Sequence, residues 1–270
     1  MSIVTQAGRT LCLIVAVCCG ATSANPYPPE SRLSGDTQSI NQTQSRPEAN
    51  STIMDLPRFA MFTPRRTDQG LARTPVLAEP FGLQTTAAAP GEISAKWAEL
   101  QPRIRSDEDT LATCRSNKNN CPAAARVFLR IVEQGRKHQG RARIAEINRA
   151  VNLSIKTMAD SVQHGIDDVW SAPLATFAAG AGDCEDYAIV KYVVLRQSGT
   201  LSDNLRLVIV RDVRRGLNHA VVAVHFDGEW LILDNRHMVL VKATEAQHYS
   251  PLFVLDHRGV GEFHTAGLRD

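Results

Sequence analysis

The order of periodic segments along this chain predicts an α+β fold. Apolar residues recur at helical spacing from about residue 93 to residue 197, and short strand-like segments follow from residue 205 to residue 255. Helices first and antiparallel strands later are typical of α+β proteins. We therefore expect N-terminal helices packed on an antiparallel sheet.

Apolar spacing and residues that favour helix ends predict five helices. They cover residues 93–104, 106–114, 122–133, 141–158 and 183–197. Pro122 suits the start of the third helix, because proline lacks an N–H group and has a helical φ. Asp183 suits the position before the fifth helix, because its carboxylate can accept from free backbone N–H groups.

Five strands are expected after the helices. They cover residues 205–210, 220–226, 230–233, 238–241 and 252–255. Asp227-Gly228 is a two-residue turn signal between the second and third strands, and it pairs Phe226 with Glu229. Because side chains alternate along a strand, this register puts His219 and Asp234 on one face of the hairpin.

The composition is that of a soluble globular protein, with 43% hydrophobic and 21% charged residues among 270. The 30 basic and 28 acidic residues leave a formal net charge of +2. This balance gives no electrostatic bias towards membranes, and we expect no nucleic acid partner.

The first 24 residues are predicted to be a secretory signal peptide. Arg9 precedes an apolar run at 11–17 that is too short to span a bilayer, and small residues at 20–24 suit cleavage. A buried strand or a short membrane anchor is the alternative. The polar, proline-rich residues 25–79 are expected to be a disordered linker or a loosely attached arm, and residues 80–270 to form one domain. We expect a periplasmic or secreted protein.

Three cysteines remain once the signal peptide is removed. Cys114 and Cys121 bracket a short polar loop, which makes them a good disulfide candidate in an oxidising compartment. Two unrelated buried thiols, or part of a metal site, are the alternatives. Cys184 is the odd thiol, and a leftover cysteine in an exported protein indicates a reactive or an intermolecular thiol.

Cys184 has the surroundings of an activated nucleophile. If Asp183 caps the helix, the thiol lies beside unpaired backbone N–H groups, where the helix dipole lowers its pKa. His219 could act as its base, and Asp234 could orient the imidazole. Burial of Cys184 as an ordinary small hydrophobic residue is the alternative.

Three carboxylates crowd the start of the same helix, and they are Asp183, Glu185 and Asp186. Capping and the helix dipole are one explanation. The other is a hard cation such as Ca²⁺, which prefers oxygen ligands. Asp167 and Asp168 could add ligands to such a site.

Several stretches of the sequence resemble those of the bacterial transglutaminase-like cysteine peptidases, including their LapG-like periplasmic branch. The most specific match runs from Gly180 to Tyr192 and contains Gly-Asp-Cys-Glu-Asp. Shorter matches lie at residues 146–152, 168–174, 219–221 and 230–235, and the similarity covers about residues 80 to 260.

The resemblance implies a papain-like core with Cys184 as nucleophile, His219 as base and Asp234 as orienter. It also implies calcium bound near the three carboxylates at the start of the helix. In the LapG-like branch the substrate is a large surface adhesin, and a receptor in the inner membrane sequesters the protease. Both are therefore implied as partners.

We accordingly expect an exported cysteine endopeptidase. The backbone N–H of Cys184 would supply one donor to the oxyanion, and the indole of Trp170 could supply a second, although Trp170 equally fits the core. A transglutaminase-type acyl transferase and a non-catalytic binding module of the same fold are the alternatives.

Overall fold

The computed structural model of the protein describes residues 78–264. The predicted signal peptide and all but two residues of the predicted linker lie outside this range. Within it, no helix combines the length and the apolar character that crossing a membrane requires.

Six helices lie within the described range. They are α1 Glu92–Ser116, α2 Ala123–Arg136, α3 Gly140–Ser154, α4 Asp160–Gln163, α5 Pro173–Ala179 and α6 Cys184–Gln197. Nine strands accompany them. They are β1 Thr85–Ala87, β2 Lys156–Thr157, β3 Ala181–Gly182, β4 Leu205–Asp212, β5 Leu217–Phe226, β6 Glu229–Leu233, β7 Val241–Lys242, β8 Tyr249–Asp256 and β9 Gly259–Phe263.

Seven of these strands form one antiparallel sheet in the order β1-β9-β8-β4-β5-β6-β7. The remaining two, β2 and β3, form a short parallel pair. The predicted α+β class, with helices packed on an antiparallel sheet, is confirmed.

Helix α6 is central to the fold of residues 78–264. It packs against β4 and β5 and is surrounded by α2, α3 and α5. All residues from Cys184 to Leu195 are buried, as expected of a helix enclosed on every side. The main apolar core lies between the helices and the sheet, and a second cluster that includes Val208, Val221 and Trp230 is separate from it.

The first two predicted helices are one helix in the structure, so their separation was wrong. The apolar stripe of α1 is interrupted in its middle, which suggested a break. The structure fills this gap with polar contacts: Asp107 accepts from the backbone N–H of Leu174, and Glu108 pairs with Arg196 at 2.8 Å. Carboxylates that bind neighbouring helices thus replace apolar residues in the middle of the stripe.

The helix predicted at 141–158 ends earlier, at Ser154, because the next residues pair with β3 as strand β2. The strand predicted at 238–241 is reduced to Val241–Lys242. The tight turn between β5 and β6 is confirmed, with Phe226 opposite Glu229. Strands β1, β2, β3 and β9 were not predicted.

Cys114 and Cys121 form a disulfide, as predicted. Both cysteines are buried in the main core, and the bond joins the last turn of α1 to the residue before Pro122. The link therefore fixes how α1 and α2 meet.

The first described residues are fastened to the sheet. The indole of Trp230 donates to the carbonyl of Ala78 at 2.6 Å, and Arg206 forms a two-point ion pair with Glu79 at 2.6 and 3.0 Å. Arg206 is only 2% exposed. Residues 78 and 79, which the sequence assigns to the linker, therefore contact the domain directly.

Candidate active site

The short β2–β3 pair determines where α6 begins. Met158 donates to the carbonyl of Gly182 at 2.9 Å, two residues before Cys184. Gly182 is required here by close packing, since a Cβ at this position would lie 2.6 Å from Oδ2 of Asp186. Asp183 then takes an extended conformation at the N-cap, and Cys184 is the first helical residue, as the sequence predicts.

The side chain of Asp183 does not cap the helix, in contrast to one of the two explanations that the sequence offered. The backbone geometry of an N-cap is present without a side-chain bond to the helix N–H groups. The carboxylate of Asp183 instead lies close to the carboxylates of Asp160 and Glu185.

Cys184 and His219 line the same cavity, together with Trp170 and Asn218. Among the described residues, Cys184 is the cysteine that lies outside the disulfide, and it is 4% exposed. His219 lies on β5 and is 2% exposed. The structure therefore brings the predicted thiol and the predicted base to one cavity, and both residues are buried there.

Asp234 follows β6 and holds the imidazole of His219. The distance between Nε2 of His219 and Oδ1 of Asp234 is 2.9 Å. The backbone N–H of Arg236 donates to the same oxygen at 2.9 Å, and the hydroxyl of Tyr249 donates to Oδ2. Three donors on one carboxylate fix its orientation and that of the ring.

These contacts keep Asp234 ionised. Burial by itself raises the pKa of this carboxyl, but the hydrogen bond and charge of His219, assisted by Arg236 and Tyr249, hold the pKa below its ordinary value. An ionised carboxylate stabilises an imidazolium beside it, which is what a base that accepts a thiol proton requires.

The thiol of Cys184 donates to a carboxylate of the acidic cluster. Its sulfur lies 3.0 Å from Oε2 of Glu185. Glu185 is buried, and its pKa is raised well above the ordinary value, first by burial and then by the charge of Asp183. An ionised Glu185 would oppose formation of a thiolate at Cys184, whereas a neutralised one would not.

Three buried carboxylates form a cluster at this point: Asp160, Asp183 and Glu185 each offer an oxygen within 4.8 Å of the others. Oδ1 of Asp160 and Oε1 of Glu185 accept no hydrogen bond within the described part of the chain. Buried carboxylate oxygens without donors are costly unless a cation neutralises them. Their chemistry fits a hard cation such as Ca²⁺, with carbonyl groups and water completing the shell.

Asp186, the third carboxylate that the sequence assigned to the metal, lies outside this cluster of three. Its Oδ1 accepts from the backbone N–H of Ser171 at 2.9 Å. Burial raises the pKa of Asp186 to about 7, although the bond from Ser171 acts in the opposite direction. Asp167 is exposed, and Asp168 pairs with Lys96 instead.

The indole of Trp170 is already engaged. Its N–H donates to Oδ1 of Asp168 at 3.0 Å, and the residue is 5% exposed. Trp170 therefore forms part of the cavity wall, and its N–H is directed to Asp168, not to a substrate carbonyl.

Sequence reasoning missed Asp160 and Tyr249. Asp160 lies 23 positions before Asp183, and the β2–β3 pairing is what brings the two together. Tyr249 reaches Asp234 because β8 and β5 flank β4. Neither position has a local motif, so a spacing argument alone could not have found them.

A buried thiol at a helix start and an imidazole held by a carboxylate on the adjacent sheet are features of the papain-like and transglutaminase-like cysteine enzymes. The family model of the bacterial transglutaminase-like cysteine proteinases matches residues 109–253. The chain belongs to this family, and it is a transglutaminase-like cysteine peptidase. Among curated proteins, none matches the sequence.

Comparison with solved structures gives distant matches. LapG of Legionella pneumophila is 23% identical over 58% of this chain and 87% of its own, with a TM-score of 0.49. The same values hold for a LapG structure described as calcium-bound. A crystal structure described as that of a TGase is 16% identical over 48% of this chain and 37% of its own, with a TM-score of 0.32.

Proposed function

We propose that the protein is an exported, calcium-dependent cysteine endopeptidase with Cys184, His219 and Asp234 as its catalytic residues. The observation that carries the proposal is the buried pair between His219 and Asp234, at 2.9 Å, whose imidazole lines the same cavity as the thiol of Cys184. A thiol, a base and an orienting carboxylate are the parts that covalent catalysis by cysteine needs.

Because Asp234 binds Nε2 of His219, Nδ1 is the nitrogen that exchanges protons in the proposed reaction. Nδ1 accepts the thiol proton, and the sulfur of Cys184 attacks the carbonyl carbon of the peptide bond. The imidazolium then protonates the leaving amine, which leaves a thioester on Cys184. Water, deprotonated by His219, hydrolyses this thioester and restores the thiol.

Backbone N–H groups at the start of α6 are the proposed donors to the developing oxyanion. The N–H groups of a first helical turn lack partners within the helix, and the helix dipole favours negative charge there. The N–H of Cys184 belongs to this turn. Such fixed donors are a large contribution to catalysis by acyl-transfer enzymes.

Asp160, Asp183 and Glu185 are the residues that we propose to hold Ca²⁺. When bound, the ion supplies positive charge that offsets the carboxylates beside the thiol. Glu185 has a second role here, since its Oε2 accepts the thiol hydrogen bond. A neutralised Glu185 holds that proton less strongly, which favours its transfer to His219.

Export and partners are part of the same proposal. The signal-like residues 1–24 support export, and so does the Cys114–Cys121 disulfide, because such bonds persist in oxidising compartments. The resemblance to the LapG-like branch supports a surface adhesin as substrate and an inner-membrane receptor as regulator.

The test compares surface and periplasmic proteins between wild-type cells and cells that carry Cys184→Ala. A large surface protein that is cleaved in the wild type and intact in the variant would support the endopeptidase. Unchanged protein patterns in both would count against it. Incorporation of a labelled amine without cleavage would instead favour acyl transfer.

A second measurement addresses the triad without a substrate. We expect the alkylation rate of Cys184 by iodoacetamide at pH 6 to fall at least about tenfold in His219→Ala, because a thiol without its base ionises only near pH 8.5. Equal rates in both proteins would contradict the assignment of His219.

A further inference from the structure

A second cavity of about 240 Å³ adjoins the cavity of the candidate active site. The two cavities share three lining residues, which are Ile93, Ile209 and Asn218. A polypeptide that presents one bond to Cys184 must continue on both sides of that bond, at about 3.3 Å per residue. The shared wall therefore makes the second cavity a place where the chain of a substrate can continue.

A β-bulge shapes this second cavity. The ladder between β4 and β8 pairs Ile209 with Phe253 but Val210 with Pro251, so Leu252 is an extra residue without a partner on β4. Bulges redirect side chains and are frequent next to active sites. Leu252 and Phe253 both line the cavity.

The walls of the cavity are apolar and incompletely covered. Ile93, Leu252 and Phe253 pack against the main core but are only half-buried. A large apolar side chain that enters the cavity would remove this surface from water, which stabilises a complex by about 25 cal/mol per Å². Binding cavities for organic groups typically combine such walls with few polar groups.

Charge at the rim adds a second preference. Glu262 lines the cavity and is exposed, and it forms no ion pair among residues 78–264, whereas Glu92 pairs with Lys96 at 3.3 Å. A negative charge at the mouth disfavours acidic residues in the bound chain and favours basic ones.

We propose that this cavity, lined by Ile93, Leu252 and Phe253, is a specificity subsite for a large apolar side chain of the protein substrate. The side chain belongs to a residue a few positions from the cleaved bond, and a basic residue is preferred beside it because of Glu262. The inference rests on the proposed function of Cys184.

The first test uses the full chain and a peptide mixture made from a digested proteome, with cleavage sites mapped by mass spectrometry. We expect a large apolar residue at one fixed position relative to the cleaved bond. Leu252→Trp fills the cavity and should lower kcat/KM for such peptides about tenfold, mainly through KM. The alkylation rate of Cys184 should not change.

Leu201→Trp is the matched control, because Leu201 is 70% exposed and lies outside both cavities. It should leave the cleavage profile unchanged. Glu262→Lys should replace the preference for a basic residue by one for an acidic residue. An apolar preference that persists unchanged in Leu252→Trp would overturn the subsite.

A binding measurement separates the subsite from catalysis. N-acetyl-leucine methylamide is titrated into Cys184→Ala, and methyl NMR shifts are followed. Shifts at the methyl groups of Ile93 and Leu252 support the subsite, provided that the shift at Ile93 disappears in the Cys184→Ala/Leu252→Trp double variant. They do so even if the wild type cleaves no peptide, in which case the proposed function fails. Absence of shifts at these methyl groups would overturn the subsite.

Discussion

Lys191 is the least expected residue of the core. Its side chain is 1% exposed, and Nζ has no hydrogen bond to another described residue. It lies 5.9 Å from the centre of the Tyr187 ring. Burial lowers the pKa of Lys191 to about 7, while the charge of Asp234 acts in the opposite direction. A buried amine without a hydrogen-bond partner reduces stability.

We predict that Lys191→Met stabilises the protein and changes how stability depends on pH. Below pH 7 the lysine is protonated in both states, and the cost of the buried charge is greatest. Between pH 7 and about 10.5 the folded state has lost the proton and the unfolded state retains it. The free energy of unfolding of the wild type should therefore rise with pH, by up to about 1.4 kcal/mol per unit.

Urea denaturation at pH 6 and pH 9 measures this difference. The methionine variant should be more stable than the wild type at pH 6 and should approach it at pH 9. Parallel pH dependence of the two proteins would show that Lys191 does not titrate in this range.

The carboxylates beside Cys184 should differ in their importance for the proposed calcium site. We predict that Asp160→Asn weakens calcium binding about tenfold or more, because a cation prefers charged oxygen ligands. Asp186→Asn should change it little, since an amide oxygen can still accept from the N–H of Ser171. Calorimetric titration with CaCl₂ gives both values. Equal losses in the two variants would restore Asp186 to the metal site that the sequence suggested.

At the scale of elements, the sequence predicted what local chemistry determines. The tight turn at Asp227-Gly228 fixed the register of β5 and β6, and that register placed His219 and Asp234 together. The cap position of Asp183 followed from the same kind of reasoning. Turns and helix caps depend on neighbours within a few residues, so they can be predicted from the sequence without knowledge of the fold.

Elements whose form depends on distant partners were not predictable in this way. Helix α1 reads as two helices because Asp107 and Glu108 interrupt its apolar stripe, and their partners are Leu174 and Arg196. Asp160 joins the acidic cluster through a strand pair that is only two residues long. A sequence contains these residues but not the contacts that give them a role.

The disulfide gives a prediction at the same scale. Cys114 and Cys121 are seven positions apart, so their bond restricts only a short loop in the unfolded chain. We predict that the double change to alanine lowers the free energy of unfolding by about 2 kcal/mol. The catalytic rate at 25 °C should be unaffected, because the bond lies at the α1–α2 junction. Thermal unfolding with a peptidase assay tests both, and an unchanged melting temperature would contradict the stabilising role.

At the scale of the whole molecule, the sequence predicted the α+β class but not the order of the strands. Strands β1 and β9 pair at one edge of the sheet, although β1 lies near the start of the described residues and β9 near their end. The contacts of Ala78 and Glu79 likewise join the start of the domain to β4 and β6. Long-range closure of this kind is decided by packing, for which a single sequence has no local signal.

The contacts of Ala78 and Glu79 limit how far the domain can be shortened at its N-terminal side. A chain of residues 78–270 should fold stably, whereas one of residues 80–270 should lose about 3 kcal/mol. The second chain lacks Glu79, so the buried guanidinium of Arg206 retains only Asp256, at 3.4 Å, as a carboxylate partner among the described residues. Denaturant titration of the two fragments compares them directly. Equal midpoints would show that the ion pair with Glu79 is not needed.

The extra residue at position 252 has one more consequence, which concerns length and not chemistry. Removing Leu252 would join Pro251 directly to Phe253, and the β4–β8 ladder would run without interruption. Pro251, Ser250 and Tyr249 would keep their partners Val210, Arg211 and Asp212. Because the register is kept, the side chains of this segment keep their faces, and the hydroxyl of Tyr249 still reaches Asp234. Deleting Leu252 should therefore straighten the strand and change which peptides are cut, while cutting itself continues.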